Sequence, residues 1–383
     1  MSDDITIMLV GDLVVDQPDA DNFFAPSAPV LTTADLVIGQ LEIPHSDTAN
    51  VASVDVPAPP GDPAHLAAIA RAGFGILTLA GNHIDDSGLV GIIDTIRHTE
   101  DAGMLTVGAG PDLAAAREPA IVERGGVRIG VLSFNCVGPR ESWATSRKAG
   151  CAYVSILTHY ETIGANPGGR PAIYTMPEAT SLAAMKADIA ALAASVDVVI
   201  VALHKGLVHI PVDLAAYETI VARAAVDAGA SAVVSHHAHI MHGVEFYRGR
   251  PIFHGMGNFV TVTRALSVGT ADSPETRAWA ARRKKLFGFE PDPEMPGTYP
   301  FHPESRNTAI AVVRVDSEGN LTAGLIPCWM DEQARPVPFG DDADGRRVAE
   351  YVRRISEEEG FDTRFEWGDG QLSVRPAPTT ETR

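Results

Sequence analysis

Seven short apolar runs, each ending in polar residues, constrain the fold of this 383-residue chain more than any other feature. They are "ITIMLVGD" (5–12), "LVIGQLE" (36–42), "FGILTLAGNH" (74–83), "RIGVLSFN" (128–135), "VDVVIVALH" (196–204), "SAVVSHHAH" (231–239) and "PIFHGMGN" (251–258). Runs of this length, rich in Val and Ile, read as strands that are apolar on both faces and must be covered on both sides. Amphipathic stretches at 62–72, 89–102, 179–194 and 213–228 lie between them and predict the covering helices. This alternation predicts a layered α/β fold with a largely central sheet, built as one domain over 1–383.

The rhythm breaks between about 261 and 308, where "RRKK" (282–285) is followed by "FGFEPDPEMPGTYPFHPESRNT". A linker rarely carries so many aromatic side chains, so this Pro- and aromatic-rich segment is read as an ordered insertion acting as a lid. Beyond it, "TAIAVVRVD" (308–316) and "LTAGLIPCW" (321–329) predict a hairpin joined at "SEGN". A helix over 343–358 and one more short strand follow, and residues 374–383 read as a disordered tail.

Composition narrows the partners. A net charge of −19 argues against nucleic acid or an anionic membrane surface as the main partner. No apolar stretch is long enough to insert in a bilayer, and the acidic start "MSDDITIMLVGD" carries no signal-peptide pattern. Cys136, Cys151 and Cys328 are scattered and form no disulfide framework. Together these predict a soluble, cytoplasmic protein and leave its oligomeric state open. No phosphate-binding glycine loop stands in the required context, which argues against nucleotide binding of that kind.

The histidines are unevenly placed: four of 13 fall in "HHAHIMH" (236–242). Open α/β sheets bind ligands beyond the carboxyl ends of their strands. Asp12, Glu42, Asn82, His83, His204, His237 and His239 all stand at such exits and can converge. Carboxylate, amide and imidazole suit one or two divalent ions of Mn, Fe or Zn, and the lack of thiolate ligands argues against a structural zinc. Glu42 can bridge two ions, which would lower the pKa of a bound water and clamp the reacting oxygens. Singly, each residue has a plainer reading: Asp12 as a cap, Glu42 and Asn82 as turn residues, His204 as a core histidine. Their co-occurrence at successive exits favours the metal site. His236 and His242 are read as supporting or surface residues, Asn258 as a turn residue beneath the site, and Cys136 as a buried small hydrophobe. Lys205, Arg264, His302 and Arg306 are candidates for holding an anionic substrate; as alternatives, Lys205 and Arg264 read as surface residues and Arg306 as half of an ion pair inside the insertion.

Taken together, "GD" (11–12), "QLE" (40–42), "LAGNHIDDSG" (79–88), "LHKG" (203–206) and "SHHAHIMHGVEFYRGRPIFHGMGNF" (235–259) resemble the CapA group of poly-γ-glutamate synthesis proteins. That group is similar to the calcineurin-like metallophosphatases, and the resemblance implies a four-layer α/β/β/α sandwich. It places Asp12 on the first metal, Glu42 between the two, and Asn82, His204 and His237 on the second, with His239 reaching back to the first. His83 would stand beside the substrate as general acid or charge stabiliser, oriented by Asp86. One position departs: the phosphatase pattern D-x-H would need histidine where this chain has Val14. The first site is then short of a ligand unless Asp16 or another group supplies it. CapA proteins are usually tethered outside the membrane, and no anchor is read here, which argues against a role in polymer export.

These readings converge on a soluble metal-dependent hydrolase. A metal-activated water would act on a small anionic substrate at a phosphoester or an amide or γ-glutamyl bond. The alternatives are a non-catalytic accessory protein of poly-γ-glutamate (capsule) synthesis and an iron-dependent enzyme of non-hydrolytic chemistry.

Overall fold

The computed structural model describes residues 4–48, 60–162, 171–263, 274–368 and 371–378. Side-chain alternation sorts its strands. In the first strand, Ile5–Val15, residues Ile5, Ile7 and Leu9 enter a core between two sheets, while Met8 and Val10 turn to a core shared with helices. The strand Val198–Lys205 repeats this in the other sheet. Its Val198, Ile200 and Ala202 join the core between the sheets, and Val199, Val201 and Leu203 pack outward with Met185, Ile189 and Val221.

The larger sheet runs Thr363–Gly368, Gln371–Pro376, Leu321–Met330, Asn307–Val315, Ile5–Val15, Leu36–Leu41, Phe74–Thr78, Leu105–Val107. The smaller runs Met241–Tyr247, Arg250–Met256, Ala232–His237, Val198–Lys205, Val127–Asn135, Ala120–Arg124. Helices Ala64–Arg71 and Gly88–Asp101 cover the first sheet, and Ala179–Ala193 and Ala216–Asp227 cover the second. The result is a four-layer α/β/β/α sandwich in place of one central sheet. Alternation along the chain registers that each strand is covered, not which sheet it joins. The helix Ala343–Glu358 closes one side of the inner core through Ala349, Val352 and Ile355. No helix among the described residues is long and apolar enough to cross a membrane.

The boundaries shift at the C-terminal half. Residues 261–262 belong to the strand Asn258–Val262, and 307–308 to Asn307–Val315. Within the insertion, a helix spans Pro274–Phe287, and Tyr299 and Phe301 form a small core with Val262, Met295 and Met330. The chain ends in a hairpin of two strands, not one. Val374, assigned by sequence to the tail, is buried in the second of them; residues 379–383 lie outside the described residues.

Candidate metal centre

Two features bring the strand exits together. The first is Gly11, where a Cβ would sit 2.0 Å from the Gly257 carbonyl oxygen. Without one, the Asp12 N–H donates to that oxygen at 2.9 Å, and Asp12 stands level with Asn258 on the neighbouring strand. The second is strand parity. His204 continues the inward side of Ala202, whereas Lys205 continues the outward side of Leu203. His237 falls on the outward parity of its strand, yet its ring centroid lies 4.8 Å from that of His204. It manages this with a φ of 89°, and His239 follows with 54°. Such backbone costs on the order of 1–3 kcal/mol per residue and collects at functional sites.

The converging atoms form two groups, Asp12–Glu42–His239 and Glu42–His204–His237, each with its ligand atoms within 4.8 Å of one another. Glu42 belongs to both. Asn82 Oδ1 stands 2.8 Å from His204 Nε2. His239 Nδ1 is 2.8 Å from Asn258 Oδ1, and its Nε2 is 3.2 Å from Glu42 Oε1, near enough to act as a charge but not aligned as a hydrogen bond. Asn258 in turn donates to the Tyr299 hydroxyl at 3.2 Å, and that hydroxyl donates to the Ser305 carbonyl at 2.7 Å. Asn258 is therefore a strand residue beneath the site, not a turn residue.

The electrostatics fit a divalent cation. Asp12 and Glu42 are buried side by side, and Asp12 Oδ1, both Glu42 oxygens, His204 Nδ1 and His237 Nδ1 have no hydrogen-bond partner among the described residues. Burial pushes Asp12 well above the usual carboxylate range, and the charge of Glu42 adds to this. Glu42 feels the same burial, but His239 outweighs it and holds the group low. Burial would lower His239; Glu42 and Asp12 instead carry it up to about 9. Burial drives His204 well below its ordinary value and His237 to about 4, which keeps both imidazoles neutral, the form that ligates metals. The nitrogen and oxygen donor set suits Mn, Fe or Zn.

His83 lines the same cavity, of about 550 Å³, and its Nδ1 lies 2.7 Å from Asp86 Oδ2. Burial would lower His83, but the bond to Asp86 prevails and its pKa is raised. Sequence reasoning missed His209, which also lines the cavity and stacks on His239 at 5.5 Å between centroids. The only signal was its place in "LHKGLVH" (203–209), five positions beyond His204.

Of the predicted substrate-binding residues, those that are described do not line the cavity. Lys205 is fully buried on the helix side of its strand, donating to Glu218 at 2.9 Å. Arg306 is buried between Asp292 at 2.9 Å and Glu294 at 3.1 Å, with its guanidinium over Trp329. Both are structural ion pairs. His302 accepts from the Glu304 N–H and meets Phe289, and it does not line the cavity. Arg264 lies outside the described residues. Asp16 accepts from Thr263 and Gln17 and joins neither donor group, so it does not replace the histidine absent at Val14. His236 and His242 are core histidines, held by the Val10 carbonyl at 2.9 Å and Glu359 at 2.7 Å. Burial pushes the Cys136 thiol up to about 12, as suits a small core residue. A third group, Asp47–Asp94–His98, is already served by Arg97, Ser46 and Thr48.

The molecule is thus a face-to-face sheet sandwich with nitrogen and oxygen donors gathered at its strand exits. The chain belongs to the bacterial capsule synthesis protein family PGA_cap, whose model matches residues 6–263. It is 28% identical to the capsule biosynthesis protein CapA of Bacillus anthracis, over 67% of this chain and 59% of that protein. It is 32% identical to a probable polyglutamine synthesis accessory protein of Mycobacterium tuberculosis (strain ATCC 25618 / H37Rv), over 48% of this chain and 44% of that one. The PGA biosynthesis protein CapA of Bacillus subtilis (strain 168) is 28% identical, over 68% and 64%. The match thus spans less than two thirds of each relative's length. Among solved structures, similarity to the calcineurin-like phosphoesterase YfkN from Bacillus subtilis covers 93% of this chain and 98% of that one, at 12% identity and a TM-score of 0.37.

Proposed function

We propose that this chain is a metal-dependent hydrolase acting on a small substrate at a phosphoester or amide bond. The observation that carries this reading is the pair of donor groups sharing Glu42, with unpartnered buried atoms beside a 550 Å³ cavity. Asp12, Glu42 and His239 would hold one divalent ion, and Glu42, Asn82, His204 and His237 a second. Such ions supply Lewis acidity to the scissile group and lower the pKa of water. The protein's own share is positional. Asp86 fixes the His83 ring through Nδ1, leaving Nε2 to deliver a proton to the leaving group. His239 is held from below by Asn258, which sets the direction of its other nitrogen. The insertion, with Phe287 and Phe301 on the cavity wall, would act as the lid that excludes water.

Elemental analysis of protein purified without added metal, compared with Glu42→Ala and His237→Ala, tests this reading. About two equivalents, lost in both variants, together with turnover in a phosphoester and amide screen, is the expected result. Metal without turnover would favour the second reading, a non-catalytic accessory protein, which the name of the Mycobacterium tuberculosis relative supports. Iron as the bound metal, with a redox-sensitive optical signal, would favour non-hydrolytic chemistry.

A further inference from the structure

The cavity wall says more about the substrate than the metal cluster does. Away from the donor residues it is mostly apolar, with Val14, Ile43, Val208, Leu286, Phe287 and Phe301 in it and Thr263 and His209 as its polar side chains, and no lysine or arginine lines it among the described residues. The two described basic side chains that the sequence offered as anion contacts, Lys205 and Arg306, are locked into ion pairs elsewhere. Buried carboxylates or phosphates need a compensating charge or several donors. Among the described residues the cationic elements on offer, the metal centre with His83 beside it, are gathered at the donor side of the cavity.

We infer that the site takes a substrate whose charge is confined to the scissile group, attached to an uncharged alkyl or aryl body that lies against the Val14–Phe287–Phe301 wall. The inference rests on the metal-hydrolase reading and adds the substrate class. A volume of about 550 Å³ holds a compound of ordinary small-molecule size. A chain of repeated carboxylates fits poorly: each further carboxylate would meet aliphatic or aromatic carbon, on a protein already carrying −19. Val14 matters twice in this picture. It stands where the phosphatase resemblance would place an imidazole of the first donor group, and it adds apolar surface where the body of the substrate would sit.

The test compares two non-hydrolysable probes with the same phosphonate head, phenylphosphonate and phosphonoacetate, by calorimetry on the Mn²⁺-loaded and the chelated full chain. Phenylphosphonate should bind at least about tenfold more tightly, as a ring entering a matched apolar pocket does, and only when metal is present. Leu286 is 60% exposed at the cavity mouth, so Leu286→Lys leaves the core intact. It should shrink the ratio by offering the carboxylate a partner, and Phe287→Ala should shrink it by removing the ring's contact. Equal or tighter binding of phosphonoacetate, still metal-dependent, would overturn the inference while sparing the metal reading. Failure of both probes to bind loaded protein, or binding indifferent to metal, would overturn the reading underneath and the inference with it.

Discussion

His204 and Lys205 are consecutive, both fully buried, and belong to opposite kinds of charged cluster. On the outward side, Lys205 donates to Glu218 at 2.9 Å and to the His254 carbonyl at 3.1 Å; His254 meets Glu245 at 2.9 Å, and Arg223 closes the set on Glu245 at 2.7 Å. Every charge there has an opposite. On the inward side, His204 joins Glu42, whose two oxygens lack hydrogen bonds, as does Oδ1 of the adjacent Asp12. Equal burial therefore carries two meanings. A satisfied cluster holds the fold, while an unsatisfied one is shaped for something outside the chain's own inventory.

The sharpest break between the two comes from Glu42→Gln. Losing a single carboxylate shared by both donor groups should strip metal from both positions. Even an outer-shell change costs 10–100-fold in affinity, so dialysed variant should retain under about one-tenth of the wild-type metal. Unchanged stoichiometry by elemental analysis would make the unpartnered atoms a packing accident. Lys205→Met probes the other cluster and should destabilise by about 3–5 kcal/mol in urea titration, because Glu218 is left buried without its partner. Removing both charges in Lys205→Met/Glu218→Leu should recover most of that loss. If either variant lowered metal per folded molecule, the separation of the two clusters would fail.

His45 supplies a third case: a buried ring in neither cluster, with an unpartnered Nε2 but no place in a donor group among the described residues. Burial pushes it to about 4, against 6.5 in the free side chain. The unfolded chain takes up the proton first as pH falls. Its contribution is thus full above pH 6.5 and is lost as pH drops towards 4, by about 3 kcal/mol. His45→Leu should flatten the stability profile over that window, and an unaltered profile would show that the ring is wetter than its packing indicates. The smallest effect belongs to Asp86→Asn, which should cut turnover by about 10–100-fold with metal content intact, since it loosens a ring without touching a ligand. Loss of metal in that variant would place Asp86 inside the donor set.

Much of this was legible in the sequence because strand exits advertise themselves. An apolar run ending in Asp12, Glu42, Asn82 or His204 tells both that a strand stops and what it delivers there. The four helices and the hairpin joined at "SEGN" followed from periodicity for the same reason. Direction was harder. Nothing local distinguishes Lys205, one residue past a ligand candidate, from a substrate cation; only the parity of its strand turns it to Glu218. Arg306 was ambiguous until Asp292 and Glu294 were seen to surround it. His209 went unnoticed because its place at the cavity depends on a loop backbone with a φ of 60°, which has no periodic signature.

The link from His239 through Asn258 to Tyr299 and Ser305 has a consequence for descent and for design. It spans the seam between the sheet scaffold and the insertion, so the part proposed to shape substrate choice also props up a candidate metal donor. Such a protein cannot exchange its 288–306 segment as a free cassette. A graft must carry residues matching Asn258 and Tyr299 together, and relatives that change one without the other should pass through poorly loaded intermediates. New specificities would then arise by repainting the wall, at positions such as Leu286 and Phe287, before they arise by swapping the segment.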